Sequence, residues 1–141
     1  MLSYRAMAGG KSLFNTPPCF GVYMVKLVTD WLLREVGGLD KMHEINKRKA
    51  AMLYEAVDQS DGFYQGHADP ASRSIMNVTF RLPDPQTETE FIKQAAGRDL
   101  CGLKGHRSVG GCRASIYNAM PVAGVEALRD FMLEFHEKHA K

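Results

Sequence analysis

The stretch 104–121 reads KGHRSVGGCRASIYNAMP and changes character in its middle. Its first half carries His106 and Arg107 and ends in a Gly-Gly pair, where the backbone can turn sharply because no Cβ blocks it. The side chains after this pair alternate as they do in a strand. The pattern therefore predicts a loop that bears His106 and Arg107, followed by a strand over residues 112–117 that presents Arg113.

The cations of this stretch suit a small molecule with an anion at each end. An arginine guanidinium presents its N–H donors as a flat fork, which forms two parallel hydrogen bonds with a carboxylate or a phosphate. We expect Arg107 and Arg113 to converge on one such ligand, with His106 as a further donor beside Arg107. The alternative is that each arginine makes an ordinary surface ion pair and that His106 is structural or exposed.

Two long helices are predicted ahead of this stretch. The first extends over residues 17–36, with Thr16 as its N-cap and Pro17 at the first helical position, where the missing N–H costs nothing. The second extends over residues 39–58, because apolar residues recur three and four positions apart. Its charge run at residues 47–49 is predicted to form a solvated face.

The remaining elements predict an α+β fold, in which helices cover a small, mostly antiparallel sheet. In chain order they are a short strand that begins at 63–64, a strand over 74–82, a helix over 88–98, a short strand over 101–104 and a helix from Pro121 onward. We expect residues 1–14 to be an irregular segment and residues 15–141 to form a single domain.

Composition excludes several classes of protein. Apolar residues make up 45% and charged residues 24% of the chain, as in a globular domain, and the net charge of +2 is too small to indicate a nucleic acid or an anionic membrane as partner. No run of about 18 apolar residues indicates a membrane span. The three cysteines have no metal-ligand spacing, and His136 and His139 lack a third ligand, so no metal site is expected. Free thiols indicate a reducing compartment, the cytoplasm.

Three segments resemble the phosphoserine aminotransferases, a family of class-V, fold-type-I enzymes that use pyridoxal phosphate. The stretch 104–121 is similar to the C-terminal signature of the family, residues 12–20 resemble its SLYNTPP run, and residues 73–80 resemble its RSxMN strand. The segments occur in the family's order, and the resemblance covers the chain from about Ser12 onward. It implies the fold of the C-terminal small domain of these enzymes.

The resemblance also implies an activity and a set of site residues. The whole enzyme would transfer the amino group of L-glutamate to 3-phosphohydroxypyruvate and give O-phospho-L-serine, a step of serine biosynthesis, as a cytoplasmic homodimer. Arg113 would bind the α-carboxylate of the substrate, while His106 and Arg107 would bind its phosphate or the side-chain carboxylate of glutamate. Asn15 and Thr16 would reach the phosphate of the partner subunit's pyridoxal phosphate.

The family's large N-terminal domain, which holds the pyridoxal phosphate and the Schiff-base lysine, has no counterpart in this sequence. We therefore expect a C-terminal part of the enzyme that contains no catalytic residue of its own and is inactive alone. Two alternatives stay open. One is a non-catalytic anion-binding or dimerisation module that kept the fold, and the other is a different fold-type-I aminotransferase, which would share Arg113 without needing His106 and Arg107.

Overall fold

A computed structural model describes residues 3–139, and the chain divides between Leu39 and Asp40 into two compact units. The first unit is helical. It contains α1 (Tyr4–Gly9), α2 (Cys19–Trp31) and a π-helical segment (Leu32–Val36) that continues α2. The predicted irregular segment 1–14 therefore holds a short helix, whose N-cap Ser3 accepts a hydrogen bond from the Ala6 N–H.

The start of α2 differs from its prediction. The helix begins at Cys19, its N-cap is Pro18, and no side-chain hydrogen bond from the described residues caps it. The prediction that Thr16 is the N-cap is therefore wrong. The reason lies in the Pro-Pro pair, because the ring of Pro18 disfavours helical dihedral angles at the residue before it. Pro17 is consequently excluded from the helix in which the sequence had placed it. At the other end, Gly37 adopts a left-handed conformation with φ +92° and ends the π-helical segment.

Helix α3 (Leu39–Asp58) opens the second unit and has the bounds that its periodicity predicted. Its buried face includes Asn46 and Lys49 in addition to apolar residues. The prediction that the charge run 47–49 is solvated is thus wrong for Lys49, whose exposed fraction is 0%. Lys49 lies three positions after Asn46 and four before Leu53, so it is on the core-facing side of the helix.

Three antiparallel strands form the sheet in the order β1 (Gln65–Gly66), β2 (Asn77–Arg81), β3 (Cys112–Ser115). The strand predicted over 74–82 is shortened at its start because the Ser74 hydroxyl accepts hydrogen bonds from two following backbone N–H groups. Of the strand predicted over 101–104, only Lys104 pairs, in an isolated bridge with Cys112. The α+β class is confirmed.

Helices α4 (Pro85–Ala96) and α5 (Val122–His139) contribute to the core. Val78 and Phe80 are buried on one face of β2, as alternation predicted, and the ring of Phe91 from α4 packs edge-to-face on Phe80. Tyr64 joins this cluster and donates its hydroxyl to the Met132 carbonyl oxygen at 2.9 Å, while burial raises its pKa. Within residues 3–139, no helix has both the length and the apolar character needed to cross a membrane.

Candidate anion-binding site

The predicted loop between Lys104 and β3 closes on itself through its backbone. The Gly105 N–H donates to the Gly111 carbonyl oxygen at 2.7 Å. The N–H groups of Val109 and Gly110 both donate to the His106 carbonyl oxygen, at 2.9 and 2.8 Å. The loop is therefore a tight turn that lifts the side chains of residues 106–109 into solvent.

Two of its glycines are required by this geometry. A Cβ on Gly105 would lie 2.1 Å from the Gly110 carbonyl oxygen, closer than any real contact. Gly111 has φ +72°, and its Cβ would meet the Phe80 carbonyl oxygen at 2.9 Å. Gly105 thus allows the loop to close on itself, and Gly111 allows it to lie directly against the end of β2.

Arg113 occupies the centre of β3, where it is the register partner of Thr79 and donates its backbone N–H to the Leu103 carbonyl oxygen at 2.7 Å. Its side chain is on the face of the sheet opposite the buried Cys112 and Ala114. It is half-buried, and its Nε atom is buried without a hydrogen-bond partner among residues 3–139. A guanidinium whose donors the protein does not all satisfy is a chemical candidate for an anionic ligand.

Cys112, which precedes Arg113 in the sequence, is a structural residue of the core. Burial raises the pKa of the Cys112 thiol to about 12, and the negative charge of Glu88 acts in the same direction. Cys112 therefore remains a neutral thiol near pH 7 and fills space in the core, as its apolar surroundings require.

Two adjoining cavities lie at the loop. One, of about 190 Å³, is lined by His67, Thr79, Arg81, His106 and Arg113, together with backbone and apolar groups, and contains no carboxylate. The other, of about 350 Å³, is lined by Lys104, His106, Arg107 and Glu88, with apolar and glycine neighbours. His106 lines both cavities, whereas Arg113 lines the first and Arg107 lines the second. The structure therefore brings Arg113 and His106 together, and Arg107 and His106 together, but not both guanidinium groups into a single cavity.

The ring of His106 has a defined hydrogen-bonding state. Its Nδ1 atom lies 2.7 Å from the Ser108 hydroxyl oxygen and 3.3 Å from the Ser108 backbone nitrogen. A backbone N–H can only donate, so Nδ1 accepts, and the hydroxyl donates to the same atom. In the neutral ring the proton is consequently on Nε2, which is left as a donor for a ligand.

Asn15 and Thr16 belong to the first compact unit and are exposed, and two prolines separate them from the first residue of α2. In the part of the chain that the structure describes, no side-chain hydrogen bond caps the start of this helix. Polar side chains near the N–H groups of such a helix start are chemically suited to the phosphate of a cofactor.

Sequence reasoning missed three residues that line the cavity of Arg113. Thr79 and Arg81 had a detectable signal, because they alternate with the buried residues of β2 and so share its polar face. His67 had none, since it follows β1 in a segment that reads only as a polar loop. Its backbone N–H extends the pairing with β2 by donating to the Thr79 carbonyl oxygen at 3.4 Å.

Comparison with known proteins gives consistent results. The family model of class-V aminotransferases matches residues 1–128. The phosphoserine aminotransferase of Desulfosudis oleivorans is 58% identical over 135 residues, which are 96% of this chain and 37% of that protein. The solved phosphoserine aminotransferase from Bacillus circulans subsp. alkalophilus has a TM-score of 0.86 and 50% identity, over 96% of this chain and 37% of that one.

A more distant solved structure agrees. The pyridoxal-phosphate-bound phosphoserine aminotransferase from Trichomonas vaginalis has a TM-score of 0.80 and 39% identity, over 92% of this chain and 37% of that one. The chain thus spans well under half the length of the relatives that it matches.

Proposed function

The chain belongs to the class-V aminotransferase family, and on that premise we propose that it is the substrate-binding part of a phosphoserine aminotransferase. The reaction transfers the amino group of L-glutamate to 3-phosphohydroxypyruvate and yields O-phospho-L-serine. Relatives of that name that align with nearly the whole chain support this proposal. The cationic loop and strand support it independently, since both amino acids carry an anionic group at each end.

The observation that carries the proposal is the unsatisfied Nε of Arg113 in a cavity without carboxylates. The α-carboxylate is common to glutamate and O-phospho-L-serine, and a half-buried guanidinium binds such a group more strongly than an exposed one because water competes less. Arg113 therefore holds the end that both substrates share. Fixing this end orients Cα for reaction and lowers the entropic part of the barrier.

His106 and Arg107 recognise the other end of the substrate. They line the adjoining cavity together, and His106 borders the cavity of Arg113 as well. A ligand bound at Arg113 reaches Arg107 by passing His106, whose Nε2–H donates to its phosphate.

We propose that Asn15 and Thr16 hold the phosphate of pyridoxal phosphate from the partner subunit of a homodimer. Their exposure beside the uncapped start of α2 fits a phosphate group. When bound, the cofactor supplies the electron sink that transamination needs. No lysine of this chain lies in a sequence context like that of the family's Schiff base, so we assign that role to none of them. The enzyme is proposed to be cytoplasmic, where free thiols are stable.

A binding comparison tests this function. Titration of the chain with O-phospho-L-serine and with L-serine, followed by amide chemical shifts, should show tighter binding of the phosphorylated ligand. Arg113→Ala should lower the affinity for both ligands about tenfold or more, since each ligand loses a charge-assisted hydrogen bond. Arg107→Ala should weaken only O-phospho-L-serine. Arg34→Ala, an exposed arginine of the first unit, is the matched control. Equal affinity for the two ligands would contradict the assignment.

A further inference from the structure

We propose that Arg81 and Glu88 are positioning residues for substrate recognition, because they hold the Gly105–Gly111 loop in the shape that presents His106 and Arg107. Their effect on ligand selectivity rests on the proposed function, whereas their effect on the loop does not. Neither residue belongs to the segments from which the function was inferred. Arg81 is the last residue of β2, the strand that pairs with β3, and Glu88 belongs to α4, the element that follows β2 along the chain.

Arg81 holds the loop from the end of β2. Its Nη2 atom donates a hydrogen bond to the Val109 carbonyl oxygen. The aliphatic part of the side chain crosses Gly111, where a Cβ would lie 3.2 Å from the Arg81 Cγ atom. The absence of a side chain at Gly111 thus leaves room for the arginine stem, and the guanidinium reaches the backbone of the turn.

Glu88 holds the same loop from α4. Its Oε1 atom accepts a hydrogen bond from the Gly111 N–H at 3.1 Å. The carboxylate is in the first turn of the helix, and that turn is fixed by Asp84, whose side chain accepts from the N–H groups of Gln86 and Thr87 at 2.9 Å each. A capped helix start gives Glu88 a stable base from which to hold the loop.

These two contacts matter because little else ties the loop to the fold. The side chains of residues 106–109 are exposed, so apolar burial contributes little to their order. In the part of the chain that the structure describes, Arg81 and Glu88 are the side chains outside the loop that hydrogen-bond its backbone. A loop held by two polar contacts can be loosened without loss of the core.

Two substitutions of Glu88 can distinguish the effect of its negative charge from the effect of its hydrogen bond. Glu88 lines the cavity of Arg107, so its negative charge opposes a phosphate there. A role through charge predicts that Glu88→Gln and Glu88→Ala behave alike and strengthen phosphate binding. A positioning role predicts that Glu88→Ala weakens phosphate binding and that Glu88→Gln does not. Glutamine retains an oxygen that accepts from the Gly111 N–H, whereas alanine has none.

The test uses the 141-residue chain and two readouts. Amide hydrogen exchange of residues 109–111 should accelerate about fivefold in Glu88→Ala, which corresponds to one lost hydrogen bond of about 1 kcal/mol. Arg81→Ala should have the same effect on exchange. The ratio of affinities for O-phospho-L-serine over L-serine should fall by a similar factor in Glu88→Ala. Glu88→Gln should restore both readouts, and Glu137→Ala, an exposed glutamate of α5, should change neither.

Unchanged exchange of the loop in both alanine variants would overturn the positioning role, whatever the chain binds. Acceleration that extends equally to core amides of β2 and α5 would also overturn it, because it would indicate general destabilisation. Equal affinity of the unaltered chain for the two ligands would instead contradict the proposed function, and loop exchange alone would then decide the role of Arg81 and Glu88.

Discussion

Lys49 donates a hydrogen bond from its buried ammonium group to the carbonyl oxygen of Tyr117 at 2.8 Å, across 68 positions of sequence. The same group also donates to the carbonyl oxygens of Ile116 and Met120, at 3.1 and 3.0 Å. It therefore caps the chain just after β3, the strand that presents Arg113. Burial lowers the pKa of Lys49, yet three acceptors compensate for the lost hydration.

Lys49→Met should lower the free energy of unfolding by about 2–4 kcal/mol, because the carbonyl oxygens of Ile116, Tyr117 and Met120 lose a buried, charged donor. Urea denaturation followed by circular dichroism measures the change. Lys47→Met is the matched control, since Lys47 is exposed on the same helix, and should shift stability by less than about 0.5 kcal/mol. Equal effects of the two variants would show that the three hydrogen bonds contribute little.

Gly105→Ala should open the anion-binding loop. The added methyl group would meet the Gly110 carbonyl oxygen at 2.1 Å, so the bond between the Gly105 N–H and Gly111 must break. We expect a cost of about 1–3 kcal/mol in stability and faster amide exchange at Gly110. Gly21→Ala, in α2 with open space around it, should be neutral or stabilising. A loop that keeps its exchange rates in Gly105→Ala would contradict the described turn.

Asp84→Asn should reduce the loss of folding stability that accompanies a fall in pH. Hydrogen bonds from the Thr87 hydroxyl, then from backbone N–H groups, hold the pKa of Asp84 below its usual value. A carboxylate whose folded pKa is lowered stabilises the fold above its unfolded pKa of about 3.9, and that contribution is lost as pH falls through the folded value. Melting temperatures between about pH 5 and pH 2 should therefore decline less in Asp84→Asn than in the unaltered chain. Parallel declines would exclude a contribution from this cap.

The 141-residue chain should form no borohydride-reducible adduct with pyridoxal phosphate at a defined lysine, and should not transaminate alone. The reason is that none of its lysines has the sequence context of the family's Schiff base. Absorbance spectra with added cofactor, followed by reduction and peptide mass mapping, measure this. A stoichiometric adduct at one lysine would contradict the prediction.

Local patterns accounted for much of the fold. The 3.6-residue periodicity of α3 and the alternation of β2 and β3 were read correctly, because each reflects which side of a regular element is buried. The start of α2 was misjudged when Thr16 and Pro17 were read as an N-cap and a first helical residue. The Pro-Pro pair overrides that signal through local sterics.

The candidate site was predicted in part. His106, Arg107 and Arg113 were picked out by their chemistry, and the structure places His106 beside each arginine. The convergence of the two arginines on one cavity is not what the structure describes. Cavity walls depend on where β2 and α4 approach the loop, and no local pattern of the loop itself contains that information.

By itself, the sequence determined the type of each main element, the alternation of the sheet, the need for glycine in the loop and the cationic character of the site, because these follow from neighbouring residues. Only the tertiary structure decided that Lys49 is buried, that Arg81 and Glu88 contact the loop, and that the two arginines line separate cavities. Each of these depends on groups distant along the chain, whose approach is set by packing of the common core and not by local preference.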